Sequence, residues 1–186
     1  VEEVTWCHAR AADLMRRLLC CPNYQITRGE ATAKLWPKAE RTRGGQLLSK
    51  SLWSLSHPLV QRGLPKQTLV LVGHPMIRLR VGPSASTDDV ECWLDVRAFE
   101  AACAQVRAAA NDHDLIAAAQ GALELCRGVF LADAAHLNWS HARRASLQAR
   151  WVRMAVALSS AHERAARIEM ALEPLERILE YLPTEE

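Results

Sequence analysis

One change of texture constrains this chain more than any other feature. Apolar residues recur at helical spacing up to about residue 57 and again from residue 95 onward, while residues 69–81 read as short strands. Leu69-Val70-Leu71-Val72, the turn Gly73-His74-Pro75 and the alternating Met76-Ile77-Arg78-Leu79-Arg80-Val81 are expected to form a hairpin. Cys92-Trp93-Leu94 is a candidate third strand. A single hairpin between two helical stretches confines the chain to a mainly α fold. It also divides the chain into residues 1–94 and 95–186.

The charges are sorted along the same division. From Lys34 to Arg80 nine basic residues face Glu40 alone, a balance of +8, whereas from Asp88 to Glu186 ten arginines face sixteen acidic residues, a balance of −6. A basic block joined to an acidic one points to a polyanion-binding module fused to a module with another task, and nucleic acid is the obvious polyanion. The bland reading is a solvated basic face that confers solubility. Placement in the local structure has to decide between the two.

Other classes are poorly supported. No run of about eighteen apolar residues exists for a membrane span, and no basic, then apolar, leader opens the chain. The chain starts without Met, which reads as a piece of something longer. Cys7, Cys20, Cys21, Cys92, Cys103 and Cys126 form no CxxC pair, so reduced core thiols in a cytoplasmic protein are expected. The seven histidines are scattered, and His136 and His141 are five residues apart, too poorly aligned on a helix to ligate zinc. Asp112-His113-Asp114 reads as solvated turn chemistry at a helix junction. With no Gly-rich phosphate loop, nucleophile elbow or HExxH, the reading is of a protein that is not an enzyme and has no cofactor and no metal.

Within the first part, Ala11, Met15, Leu18 and Leu19 define a helix from Trp6 to Cys20, ended by Pro22-Asn23. Thr27 and Glu30 have the spacing of a capping box that opens a short second helix, stopped at Trp36-Pro37. Leu48, Leu52 and Leu55 define the buried stripe of a third helix, closed by Pro58 and Gly63-Leu64-Pro65. In the second part, one helix is expected over about 96–110 with Asp95 as N-cap, and a second from Asn111-Asp112 to about Cys126, stopped by Gly128. A long helix should run from Trp139 to Ser160, and a last one to Leu182-Pro183, with Pro174 in its first turns or kinking it. Such helix pairs read as a repeat-type bundle.

Three helices followed by a hairpin is the order of a winged helix-turn-helix. In that arrangement the third helix enters the major groove of double-stranded DNA and the hairpin lies along the neighbouring backbone. Gln46, Ser49 and Lys50 would then face bases, while Lys38, Arg41, Arg43, Arg78 and Arg80 would hold phosphates. Trp53 points outward beside Lys50, where a DNA contact and a protein contact are equally open. Trp36 reads as a core plug, and Trp93, Trp139 and Trp151 as core or helix-packing residues.

Several motifs also resemble a known family. Thr27-Arg28-Gly29-Glu30 with Leu35-Trp36-Pro37 resembles the signature of OmpR-type winged helices in SARP-like bacterial transcriptional regulators. Asp95-Val96-Arg97-Ala98-Phe99-Glu100, Cys126-Arg127-Gly128-Val129-Phe130-Leu131, Trp139 and Leu179 through Leu182-Pro183 to Glu185 are similar to that family's bacterial transcriptional activator domain. The resemblance implies a winged helix lacking its N-terminal strands, followed by a tetratricopeptide-like domain. Oligomerisation and contact with RNA polymerase are the roles it implies for the second part.

The sequence departs from the family at Gly44-Gly45, where two glycines cost roughly 1 kcal/mol each in helix propensity. It departs again at Ser54 and Ser56, in place of arginines, and at Val129 and Leu182, in place of acidic residues. These departures lower the expected charge of the readout face. They keep open a second reading, a protein-interaction scaffold whose winged helix no longer reads DNA.

Overall fold

The computed structural model describes residues 9–61, 70–72, 75–79, 94–134 and 136–181. The chain divides into two compact units, Val1–Thr87 and Asp88–Glu186, each with its own core.

The first unit runs α1 (Ala9–Cys20), β1 (Gln25–Thr27), α2 (Arg28–Leu35), α3 (Arg41–Gln61), β2 (Val70–Val72) and β3 (Met76–Leu79). Helix α1 buries Ala11, Leu14 and Leu18, with Met15 and Leu19 packed at the edge. Pro22-Asn23 turns the chain after it, with Asn23 and Tyr24 both in the left-handed region at φ 52° and 53°. The expected capping box opens α2: the Glu30 amide donates to Thr27 Oγ1 at 3.1 Å, and the Thr27 amide donates back to Glu30 Oε2 at 3.1 Å. Hydrogen bonds from the Thr27 side chain and backbone hold the Glu30 carboxyl below its ordinary range.

The hairpin forms as β2 and β3, antiparallel, with Leu71 opposite Arg78. It acquires a partner that alternation did not announce. Three residues, Gln25–Thr27, pair antiparallel with β3 and make a sheet of order β1-β3-β2. A strand of that length is too short for periodicity to register. The Arg28 amide then donates to the Pro75 carbonyl at 2.9 Å, tying the start of α2 to the turn before β3.

Helix α3 buries Leu48 and Leu55 and half-buries Leu52. Pro58 does not close it; the helix continues to Gln61. A proline removes one amide donor and crowds the preceding turn, and here the helix accommodates both. Gly63 to Pro65 and the candidate strand residues Cys92 and Trp93 lie outside the described residues, as do Arg62, Lys66 and Arg80.

The second unit is helical: α4 (Asp95–Ala108), α5 (Asp112–Glu124), α6 (His141–Arg164) and α7 (Ile168–Tyr181), each packed on the next. Its core gathers Phe99, Cys103, Leu123, Leu147, Trp151 and Leu158, and the Tyr181 ring lies 5.6 Å from that of Trp151. Leu94, not Asp95, occupies the N-cap of α4; Asp95 is the first helical residue, and its Oδ1 accepts the Val96 amide at 2.7 Å. Asn111 caps α5 by accepting the Asp114 amide at 2.9 Å.

Helix α5 ends at Glu124, ahead of Gly128, whose φ of 152° is a conformation that favours glycine. Helix α6 starts after a short 3-10 turn, Asn138–Ser140, that contains the half-buried Trp139, and it extends past Ser160 to Arg164. Pro174 lies inside α7, as its seventh residue, and is buried. The four described cysteines, Cys20, Cys21, Cys103 and Cys126, are free thiols, and burial pushes that of Cys126 up to about 12.

Arginines lock this unit internally. Glu100 on α4 receives Arg143 at 2.8 and 3.0 Å and Arg150 at 3.1 Å, both from α6. Arg144 donates to the carbonyls of Phe130 and Leu131 at 3.0 Å each, and Arg177 donates to that of Cys126 at 3.1 Å. The segment Cys126 to Leu131 is thus held by backbone acceptors, which leaves its side chains free of that duty.

Candidate nucleic-acid interface

Helix α3 is 21 residues long and contains no acidic side chain. Steps of about 100° per residue place Arg43, Gln46, Ser49, Lys50 and Trp53 on one arc roughly 120° wide, opposite the Leu48 and Leu55 stripe. All five are exposed, Trp53 to 56%. Arg41 is exposed in the first turn but projects away from this arc, and Lys38 is exposed in the turn between α2 and α3. Cations at a helix N-terminus oppose the macrodipole, so Arg41 and Arg43 sit where an anion, not the helix itself, would be stabilised by them.

Two of these side chains are held in place. Ser49 Oγ donates to the Gly45 carbonyl at 3.0 Å and receives Arg28 Nη2 at 3.5 Å. Its hydroxyl proton is committed to its own helix, and the group that extends the basic face there is Arg28, at the start of α2. Arg28 was read from sequence only as part of a cap. No local signal marks it, because its partner Ser49 is 21 residues on. On β3, Arg78 is exposed, and its Nε and Nη2 donate to Gln25 Oε1 at 3.2 and 2.9 Å across the β1–β3 register. Arg80 lies outside the described residues.

Trp53 tilts against His57, ring centroids 4.3 Å apart. His57 is four residues on and continues the same face of α3, a neighbour that the scatter of histidines in the sequence concealed.

The departures at Gly44, Ser54 and Ser56 have structural reasons unrelated to readout. Gly44 is buried where α3 crosses α2: a Cβ there would run into the Thr32 Cγ2 methyl, whose side chain is fixed by Thr32 Oγ1 donating to the Arg28 carbonyl at 2.8 Å. The glycine permits the close approach of the two helices at this point. Gly45 has open space around its Cα. Ser54 is buried at 1% exposure, so an arginine there would not reach a ligand. Ser56 Oγ donates back to the Leu52 and Trp53 carbonyls at 3.2 and 3.0 Å. The expectation that serine at 54 depletes the readout face is corrected: that position faces the core.

No curated protein and no solved structure matches the chain. One family does, described as Bacterial transcriptional activator domain, over residues 94–186. That span contains α4 to α7 and the arginine-held segment Cys126 to Leu131, and it is half of the sequence. The chain therefore belongs to the bacterial transcriptional activator domain family, a family of transcription regulators.

Proposed function

We propose that this protein is a DNA-binding transcriptional regulator of the SARP-like kind. In this reading residues 1–94 form a winged helix and residues 95–186 an activator domain that mediates oligomerisation or RNA polymerase contact. The observation that carries it is the exposed arc of α3, cationic and polar without a single carboxylate, on a helix seated by Gly44 against α2. The order α1-β1-α2-α3-β2-β3 supports it, because that order makes α3 the helix that enters a major groove and the β2–β3 hairpin the wing. Gln46 and Lys50 would meet base edges; Arg28, Lys38, Arg41, Arg43 and Arg78 would meet phosphates.

Fluorescence anisotropy on a random-sequence duplex pool at several salt concentrations tests this. Log K should fall with log[salt] at about −0.9 per neutralised phosphate, with at least about four phosphates implied, and selection from the bound pool should enrich one sequence. No binding even at low salt overturns the reading.

Trp53 favours a second one. A large ring more than half exposed on this face suits a protein contact as well as a duplex, in a scaffold whose winged helix does not read DNA. Trp53→Ala separates the two: the scaffold loses partner capture or self-association and shows no DNA phenotype, whereas the regulator loses duplex affinity.

A further inference from the structure

The outer face of α7 carries more apolar surface than its core uses. Ala171, Pro174 and Ile178 are buried and Leu175 is half-buried against the core, yet Ile168, Leu172 and Leu179 stand 62%, 53% and 63% exposed. Helical steps bring those three within an arc of roughly 40° that continues directly from Leu175. The next roughly 60° of arc belongs to Glu169, Glu173, Glu176 and Glu180, all exposed. Among the described residues none of the four glutamates is in an ion pair, and Arg177 on the same helix is committed to the Cys126 carbonyl.

We infer that this face docks an amphipathic helix of another protein, one with an apolar stripe edged by lysine or arginine. The chemistry selects such an occupant on two counts. Three large aliphatic side chains at i, i+4 and i+11 are the footprint of a helix laid along a helix. A one-sided carboxylate rail attracts cations on the flank of the incoming helix and repels a carboxylate-edged one. Two copies of this chain packed face to face and antiparallel on the stripe would set their rails side by side, which counts against a second copy as the occupant. The inference stands apart from DNA binding and survives if that reading fails.

The test uses the full chain and a synthetic helical peptide of about five turns with a leucine stripe and a lysine flank. A second peptide has the same stripe and a glutamate flank. Binding is measured by calorimetry, together with sedimentation velocity of the chain alone. The lysine-edged peptide should bind, with affinity at least about tenfold above the glutamate-edged one, a difference of about 1.4 kcal/mol. Leu172→Ser with Leu179→Ser keeps the charge, Glu173→Lys with Glu176→Lys keeps the stripe, and each pair should weaken binding about tenfold with unchanged circular dichroism. Equal binding of the two peptides, or indifference to either pair of substitutions, overturns the inference. So does a self-associated chain that Leu172→Ser renders monomeric, because a second copy then covers the stripe.

Discussion

A set of arginines in each unit serves an opposite purpose. In the second unit Arg143, Arg144, Arg150 and Arg177 turn inward, and each finds acceptors within its own helices and loops: the Glu100 carboxylate, or the carbonyls of Cys126, Phe130 and Leu131. In the first unit Arg41 and Arg43 turn outward with Lys38 and Lys50, and among the described residues none of these four is in an ion pair. A planar guanidinium with several fixed acceptors is a structural strut, whereas one facing water without an acceptor is available to a ligand. Net charge alone does not make that distinction. The second unit is acidic overall, and it nonetheless holds these four arginines as struts.

Substituting one arginine of each kind is the sharpest way to break the comparison. Arg144→Ala removes three donated bonds and leaves the Phe130 and Leu131 carbonyls and Ser140 Oγ short of a partner. A loss of about 2–3 kcal/mol is expected, since bonds to a charged donor are the stronger kind and unpaired part-buried acceptors add to the cost. Urea denaturation measures it. Arg43→Ala should stay within about 0.5 kcal/mol of the parent, because nothing in the fold leans on it. An equal loss in both variants would erase the distinction between strut and ligand-facing arginine.

Gly44 sharpens the first unit's side of the comparison, with a somewhat smaller effect. Gly44→Ala gains helix propensity but drives a Cβ into the Thr32 methyl, and overpacking of this kind costs about 1–3 kcal/mol. Thr32→Ser deletes the methyl and keeps the hydroxyl bonded to the Arg28 carbonyl, so the double variant should recover most of the loss. A double-mutant cycle reads the coupling directly. Additive effects would mean that α2 and α3 do not meet through this pair.

On the ligand-facing side, Arg43→Ala with Lys50→Ala should weaken duplex binding at every salt concentration, while Arg78→Ala should chiefly lower the salt slope by about one unit. Anisotropy titrations separate these outcomes. Affinity unchanged in all three substitutions would remove α3 from the interface.

What could be read in advance followed the range of the interaction. The Thr27–Glu30 box, the Leu48 and Leu55 stripe, the hairpin and the Asn111 junction are decided within a few residues, so spacing reveals them. Strand β1, the need for Gly44 and the pairing of Arg28 with Ser49 depend on neighbours 12 or more residues away in the chain, and no local pattern encodes them. Pro58 marks the limit of breaker rules, because α3 continues through it to Gln61. Gln46, Ser49, Lys50 and Trp53 on the α3 arc were legible because one stripe assigns both faces of a helix; Arg43 belongs ahead of the helix by sequence, and joins the arc because α3 starts at Arg41. Arg28, which reaches the same surface from α2, was not.

The smallest expected effect compares two surface carboxylates, one per unit. Hydrogen bonds from Thr27 lower the Glu30 carboxyl, and the Arg164 guanidinium, donating at 2.9 and 2.5 Å, lowers that of Asp112. A carboxylate whose folded value lies below its unfolded one contributes stability that is fully present above the unfolded value, near pH 4, and is lost as pH falls through the folded value. Both contributions should therefore be intact at pH 6 and fade below about pH 4. Glu30→Gln removes the titrating charge of the one and Arg164→Ala the partner of the other, so in melting curves from pH 6 down to pH 3 each gap from the parent should narrow toward the acid end. Both groups are fully solvated, so each difference will be small, and salt should shrink the Asp112–Arg164 one further while leaving the backbone-anchored Thr27–Glu30 box nearly untouched. A gap between parent and variant that widens toward acid would reverse the sign and place the stabilisation in the protonated form.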